Sequence, residues 1–170
     1  MNTSKWFDRQ FDFSFGTDQY ADVYKRLQQA PAILQQVIDN APEAALVLQP
    51  DGKWSIKEHT GHLSVMEPIW RVRFEDIQQQ KPVLTTADLT NSATSNAGFN
   101  NYSITALLER FVEERRATLA TLDRMDVRNE SLTSMHPRLQ RPMRMIDLAY
   151  FVAEHDDHHI AAITAMIEQI

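Results

Sequence analysis

The chain has 170 residues, no cysteine and a formal net charge of −6. That length suits one domain, residues 1–170, with a sizeable core. The acidic balance argues against nucleic acid as the main partner, and the absent cysteines exclude disulfides, thiolate metal sites and a cysteine nucleophile.

The opening MNTSKWFDRQFDF has no apolar stretch like a signal peptide, and no window approaches the ~20 apolar residues of a membrane span. A cytoplasmic protein without membrane contact is expected. Phe7, Phe11, Phe13 and Phe15 are expected to pack across one end of the fold.

Glycine is scarce, with 4 in the chain, and strand-like alternation is rare. Helical periodicity fills long segments instead. The first spans about Asp18 to Asp39, where Tyr20, Val23, Tyr24, Leu27, Ile33, Leu34 and Ile38 share a face. Pro31 predicts a kink there, or two abutting helices. The second runs from Ser55 to about Gln79, with Ile56, Leu63, Met66, Ile69, Trp70 and Phe74 apolar. Ser55 followed by Glu58 spells a capping box, and Trp54 is placed to staple the first turn. Pro68 lies inside this segment.

The third segment spans about Ile104 to Met125, with Ser103 as cap and Leu107, Leu108, Phe111, Val112, Leu119 and Leu122 as its stripe. The fourth spans about Met145 to Ile170. Four such helices predict an all-α four-helix bundle. The polar stretch Lys81 to Asn101 is too long for a turn between antiparallel neighbours. It is long enough for a crossover joining parallel second and third helices. Two readings stay open for it, a strap over one mouth of the bundle and a disordered surface loop. The basic run Arg138 to Arg144 reads as solvated loop rather than an anion site, and His136 as a structural or exposed loop residue.

The chemistry concentrates in AEHDDHHIAAI. His155 and His159 lie one helical turn apart on one face and can point at a common ion. His158 points about 100° away from His159, given 3.6 residues per turn. Two imidazoles leave an ion underliganded, so a third donor must come from another helix. The second helix offers His62 and its rival His59, in EHTGHL. Three neutral imidazoles with an open position suit Zn, Ni or Fe, and calcium and magnesium prefer oxygen.

These residues resemble those of the DinB/YfiT-like superfamily, in its DinB_2 branch. FDFSF with YKRLQQAPAIL resembles the family's opening helix, and WSIKEHTGHL its second. HPRLQRPMRMIDLAYFVAEHDDHHIAAI resembles its loop and last helix. The resemblance implies a bundle in up-down-down-up order with a long crossover after the second helix. It implies that His62, His155 and His159 ligate the metal, leaving His59 without that role. Many members are dimers, so a homodimer is expected. Characterised members include bacillithiol S-transferases and mycothiol-dependent maleylpyruvate isomerase.

Three functional expectations follow. The first is transfer of a low-molecular-weight thiol to a small electrophilic substrate, with the metal ion lowering the thiol's pKa. Glu154 and Asp156 would then orient an imidazole by accepting its N–H. The second is a metal-dependent hydrolase with a carboxylate base. Glu58 and Glu67 are nearest in sequence, but Glu58 reads as a cap and Glu67 as outward-facing. The third is a non-catalytic metal or small-molecule binding module.

Overall fold

The computed structural model describes residues 6–169. Four long helices carry the fold: α1 (Tyr20–Ile38), α2 (Ile56–Gln78), α4 (Ile104–Leu122) and α5 (Met145–Glu168), with a single-turn α3 (Ser92–Ser95) between α2 and α4. The expected end of the last segment, Ile170, lies outside the described residues. No helix among the described residues is long and apolar enough to cross a membrane.

Contacts fix the directions. Arg71 of α2 meets Glu114 of α4, and further along Gln78 accepts from the Asp126 amide, so α2 and α4 run parallel. Arg26 meets Glu154 while Leu34 packs with Ile163, so α1 and α5 run parallel too. Tyr24 bonds Asp123 and Leu27 bonds Arg115, which makes α1 and α4 antiparallel. The order is up-down-down-up, with the crossover between α2 and α4.

The capping box forms as the sequence specifies. The Glu58 amide donates to Ser55 Oγ at 3.1 Å, and the Ser55 amide donates to Glu58 Oε2 at 2.8 Å. Ser103 caps α4 by accepting from the Ala106 amide. Ile33 and Val112, counted in the apolar stripes, remain 42% exposed and lie outside the core.

The helices enclose two apolar clusters. One contains Leu27, Trp70, Phe74, Leu122 and Val152, the other Leu34, Leu63, Leu108, Phe111 and Ile163. Between them in sequence, on α2, α4 and α5, sits a polar node centred on Arg115. Its guanidinium contacts Glu67 of α2 at 2.5 Å and Asp156 of α5 at 2.6 Å. It also donates to the Leu27 carbonyl of α1 at 3.0 Å. Thr118 completes the set by donating to Glu67 at 2.5 Å. Glu67 is therefore not outward-facing; it is fully buried.

The node also accounts for Pro31. A proline has no N–H for the carbonyl four residues earlier, which here is Leu27. Arg115 takes that carbonyl instead, and α1 continues through Pro31 as one helix.

The crossover is an ordered strap. Ser55 Oγ donates to Asn100 at 2.6 Å, tying the strap to the start of α2. Phe99 lies against Gly61, where a Cβ would come within 2.5 Å of its ring. Beyond α4 a hairpin forms, β1 (Ser134–His136) against β2 (Arg141–Met143), with Met135 opposite Pro142. Periodicity over three residues is too short to read, so the sequence did not disclose these strands. The hairpin grips the strap, because the Leu84 amide donates to the Met135 carbonyl and the Met135 amide to that of Pro82.

Removing one partner from a buried ion pair typically costs about 3–5 kcal/mol. Arg115→Met strands two carboxylates and a carbonyl, so a loss of that order is expected. Urea unfolding followed by circular dichroism measures it, and a change under about 1 kcal/mol contradicts the node's role.

Candidate metal centre

His62 on α2 and His155 and His159 on α5 are buried and converge. The Nε2 atoms of His62 and His155 are 3.3 Å apart, and those of His159 and His155 3.2 Å. Tetrahedral Zn–N bonds of 2.0–2.1 Å place ligand nitrogens about 3.3–3.4 Å apart. The three rings therefore fit a first-row divalent ion with a position left open.

The outer nitrogens support this. His62 Nδ1 lies 2.8 Å from Thr94 Oγ1, and His159 Nδ1 lies 2.8 Å from His59 Nδ1. One consistent assignment puts the proton on Nδ1 of each converging ring, leaving three Nε2 lone pairs facing a common point. Lone pairs so arranged repel one another unless a cation sits between them. His155 Nδ1 is buried without a hydrogen-bond partner among the described residues, its ring set between Trp6 at 5.1 Å and Trp70 at 5.5 Å.

Burial favours the neutral rings. It holds His62 down at about 3 and His59 at about 4, helped by neighbouring histidines. His155 and His159 are pushed well below the usual histidine range for the same reasons.

Two expected acceptors are elsewhere. Asp156 is held by Arg115, and Glu154 by Arg9 and Arg26. Neither hydrogen-bonds an imidazole, because both are engaged by arginines. Thr94 of the strap and His59 of α2 occupy that position instead. His59 was legible as a polar residue beside His62, whereas Thr94 had no signal in the sequence, because only the folded crossover brings it there. Trp54 packs on the first turn of α2 as expected, its ring 5.5 Å from that of His59, and it also lies on His62 at 4.7 Å and near His159 at 6.0 Å. His158 is half-buried, with its ring 5.2 Å from that of His159, and stands outside the converging set.

The centre opens into a cavity of about 760 Å³ walled by Trp6, Trp54, Met66, Trp70 and Phe151. His136 and Arg138 line its far side with Arg73. His136 is buried, and its Nδ1 accepts the amides of Arg138 and Leu139 at 3.2 and 3.1 Å. The basic run is thus no uniform solvated loop: Arg138 lines the cavity, Arg141 bonds the Phe11 carbonyl, and Arg144 pairs with Asp147. Phe11 and Phe13 are buried and Phe15 partly so, whereas Phe7 stays 51% exposed beside the cavity.

A family model described as the DinB superfamily matches residues 26–163. The chain belongs to the DinB superfamily. Among solved structures it is similar to YfiT from Bacillus subtilis, described as "a probable metal-dependent hydrolase with an unusual four-helix bundle topology". That likeness has a TM-score of 0.78 at 20% identity and covers 95% of this chain and 93% of the other. At that identity it establishes the shared fold. No curated protein matches the sequence at a significant level.

Elemental analysis is expected to find near one equivalent of a transition metal in this DinB-superfamily protein and little in His62→Ala, His155→Ala or His159→Ala. His158→Ala is expected to retain it. Thr94→Val, which removes an outer-shell partner, is expected to weaken affinity about 10-fold.

A second expectation concerns acid. The buried histidines bind protons more readily unfolded, near 6.5, than folded, where His62 lies at about 3. Their contribution to stability is complete above about pH 6.5 and is lost as pH falls toward 3. The Tm of chelator-treated protein should fall steadily below pH 6.5, and a flat profile down to pH 4 contradicts neutral burial.

Proposed function

We propose that the protein is a metal-dependent enzyme that transfers a low-molecular-weight thiol to a small electrophile, with His62, His155 and His159 as metal ligands. A divalent ion on three imidazoles, when bound, supplies Lewis acidity that lowers the pKa of a thiol or water in its open position.

The observation that carries the reading is the character of the surrounding groups. A hydrolase in which a carboxylate takes the proton from water needs such a group free beside the centre. Glu67 is held by Arg115 and Thr118, and Glu58 is occupied in the cap. The one carboxylate lining the cavity, Asp88, is bound by the Thr90 and Ser92 amides and hydroxyls. Among the described residues, no carboxylate lining the cavity is free to serve. A thiol needs none, because its own pKa is near 8.5 and a modest reduction ionises it at neutral pH.

The chain's residues have clear tasks in this scheme. Trp6, Trp54, Trp70 and Phe151 exclude bulk water and provide flat apolar surface for the electrophile. Thr94 and His59 hold two of the imidazoles in register. Transfer forms a bond from the thiol sulfur to the electrophilic carbon. The leaving group departs with its bonding pair and the thiol proton goes to solvent.

A metal-dependent hydrolase is the second reading, favoured by the shared fold with YfiT. Protein reconstituted separately with Zn, Ni and Fe should be assayed with several biological thiols and an activated aryl halide. A parallel assay should follow ester and amide cleavage without thiol. The expected result is a thiol-dependent rate that collapses in His155→Ala. Faster thiol-independent cleavage, lost in the same variant, would replace this reading with the hydrolase.

A further inference from the structure

We infer that the far side of the cavity is an oxyanion subsite, formed by the guanidinium groups of Arg73 and Arg138, which binds a carboxylate on the small-molecule substrate.

The inference starts from how this chain treats its arginines. Arg9, Arg26, Arg71, Arg115 and Arg144 are buried or half-buried, and each meets a carboxylate. Arg73 is more buried than most of them, at 3% exposed, and Arg138 is half-buried. Neither forms an ion pair among the described residues. Both line the same cavity.

Their remaining contacts hold the groups in place without neutralising them. Arg73 donates through Nε to the Thr85 carbonyl at 2.9 Å, lies 5.4 Å from the Trp70 ring centre, and has Nη1 3.3 Å from His136 Nε2. Arg138 donates through Nη1 to the Phe7 carbonyl at 3.2 Å, with the Phe7 and Phe151 rings at 5.4 and 5.8 Å. Its Nη2 is buried and makes no hydrogen bond among the described residues. Asp76, one turn along from Arg73, is engaged by Lys81 at 2.6 Å and by the Thr85 amide at 2.7 Å. The lining carboxylate Asp88 is likewise occupied by Thr90 and Ser92.

Burial outweighs the charge of nearby Asp76 and, with the neighbouring Arg138, pushes Arg73 down to about 10. It stays charged at neutral pH. A buried cation of this kind is unfavourable unless an anion meets it, and planar guanidinium groups match a carboxylate in bidentate fashion. Trp70 marks the spacing, since its ring touches both the Arg73 guanidinium and the His155 imidazole, at 5.4 and 5.5 Å. The carboxylate would therefore sit across the Trp70 ring from the imidazoles.

The subsite deepens the function proposed above and rests on it for the word substrate, but anion binding itself needs no metal. The test is titration calorimetry of metal-free protein with succinate, backed by tryptophan fluorescence because Arg73 lies on Trp70. Arg138→Gln and Arg73→Lys are compared with wild type, and retained metal stoichiometry shows that each variant folds. The expected result is saturable succinate binding, weakened at least ~10-fold in Arg138→Gln, as loss of a charge-assisted pair implies. Equal binding by wild type and both variants overturns the subsite, as does no binding by wild type. Succinate binding only to metal-loaded protein, lost in His155→Ala, also overturns it by placing the anion on the metal. Mercaptosuccinate and 2-mercaptoethanol, titrated into loaded protein, then locate the carboxylate. A preference for the first that vanishes in Arg138→Gln puts it on the thiol. Equal affinities with succinate binding intact put it on the electrophile. A failed thiol assay with intact succinate binding removes the transferase reading and leaves the subsite standing.

Discussion

One guanidinium touches all four long helices. Arg115 of α4 reaches Glu67 of α2, Asp156 of α5 and the Leu27 carbonyl of α1. Apolar packing alone tolerates sliding of one helix on another, whereas a hydrogen-bonded node in a low-dielectric interior tolerates little. The node sets the register that the candidate metal centre requires. His155 directly precedes Asp156, and His62 lies five positions before Glu67. With Glu67 and Asp156 held on the same cation, the imidazoles of α2 and α5 are brought level.

Much of this was legible in the sequence, and the rest stayed unread for a physical reason. The cap at Ser55 and Glu58 and the converging histidines follow from local spacing. Glu67, Arg115 and Asp156 also occupy core-facing positions by that spacing. Glu67 falls between Leu63 and Trp70, Arg115 between Phe111 and Leu122, and Asp156 between Val152 and Ile160. Their charge made Glu67 read as outward and Asp156 as a partner for imidazole. A single polar residue in an apolar stripe is ambiguous. Three of them with opposing signs, on three helices, form a signal.

The strap and hairpin were opaque for a different reason. Thr94 reaches His62, and Arg73 and His136 meet at the cavity, through contacts between segments distant in sequence, and no local period records such contacts. The Pro31 outcome belongs with these. A proline inside a helix predicts a break because it leaves one carbonyl unpaired, and whether another group takes that carbonyl is decided elsewhere in the chain.

The separation between His62 and His155 is 93 residues. Closing a loop of that length costs chain entropy, which is borne before any contact between the two histidines can form. An ion gripping both ends would do for this cysteine-free chain what a disulfide does elsewhere, as a removable cross-link. Occupancy of the centre would then govern how long the native bundle survives, so that metal supply and protein lifetime would become the same variable.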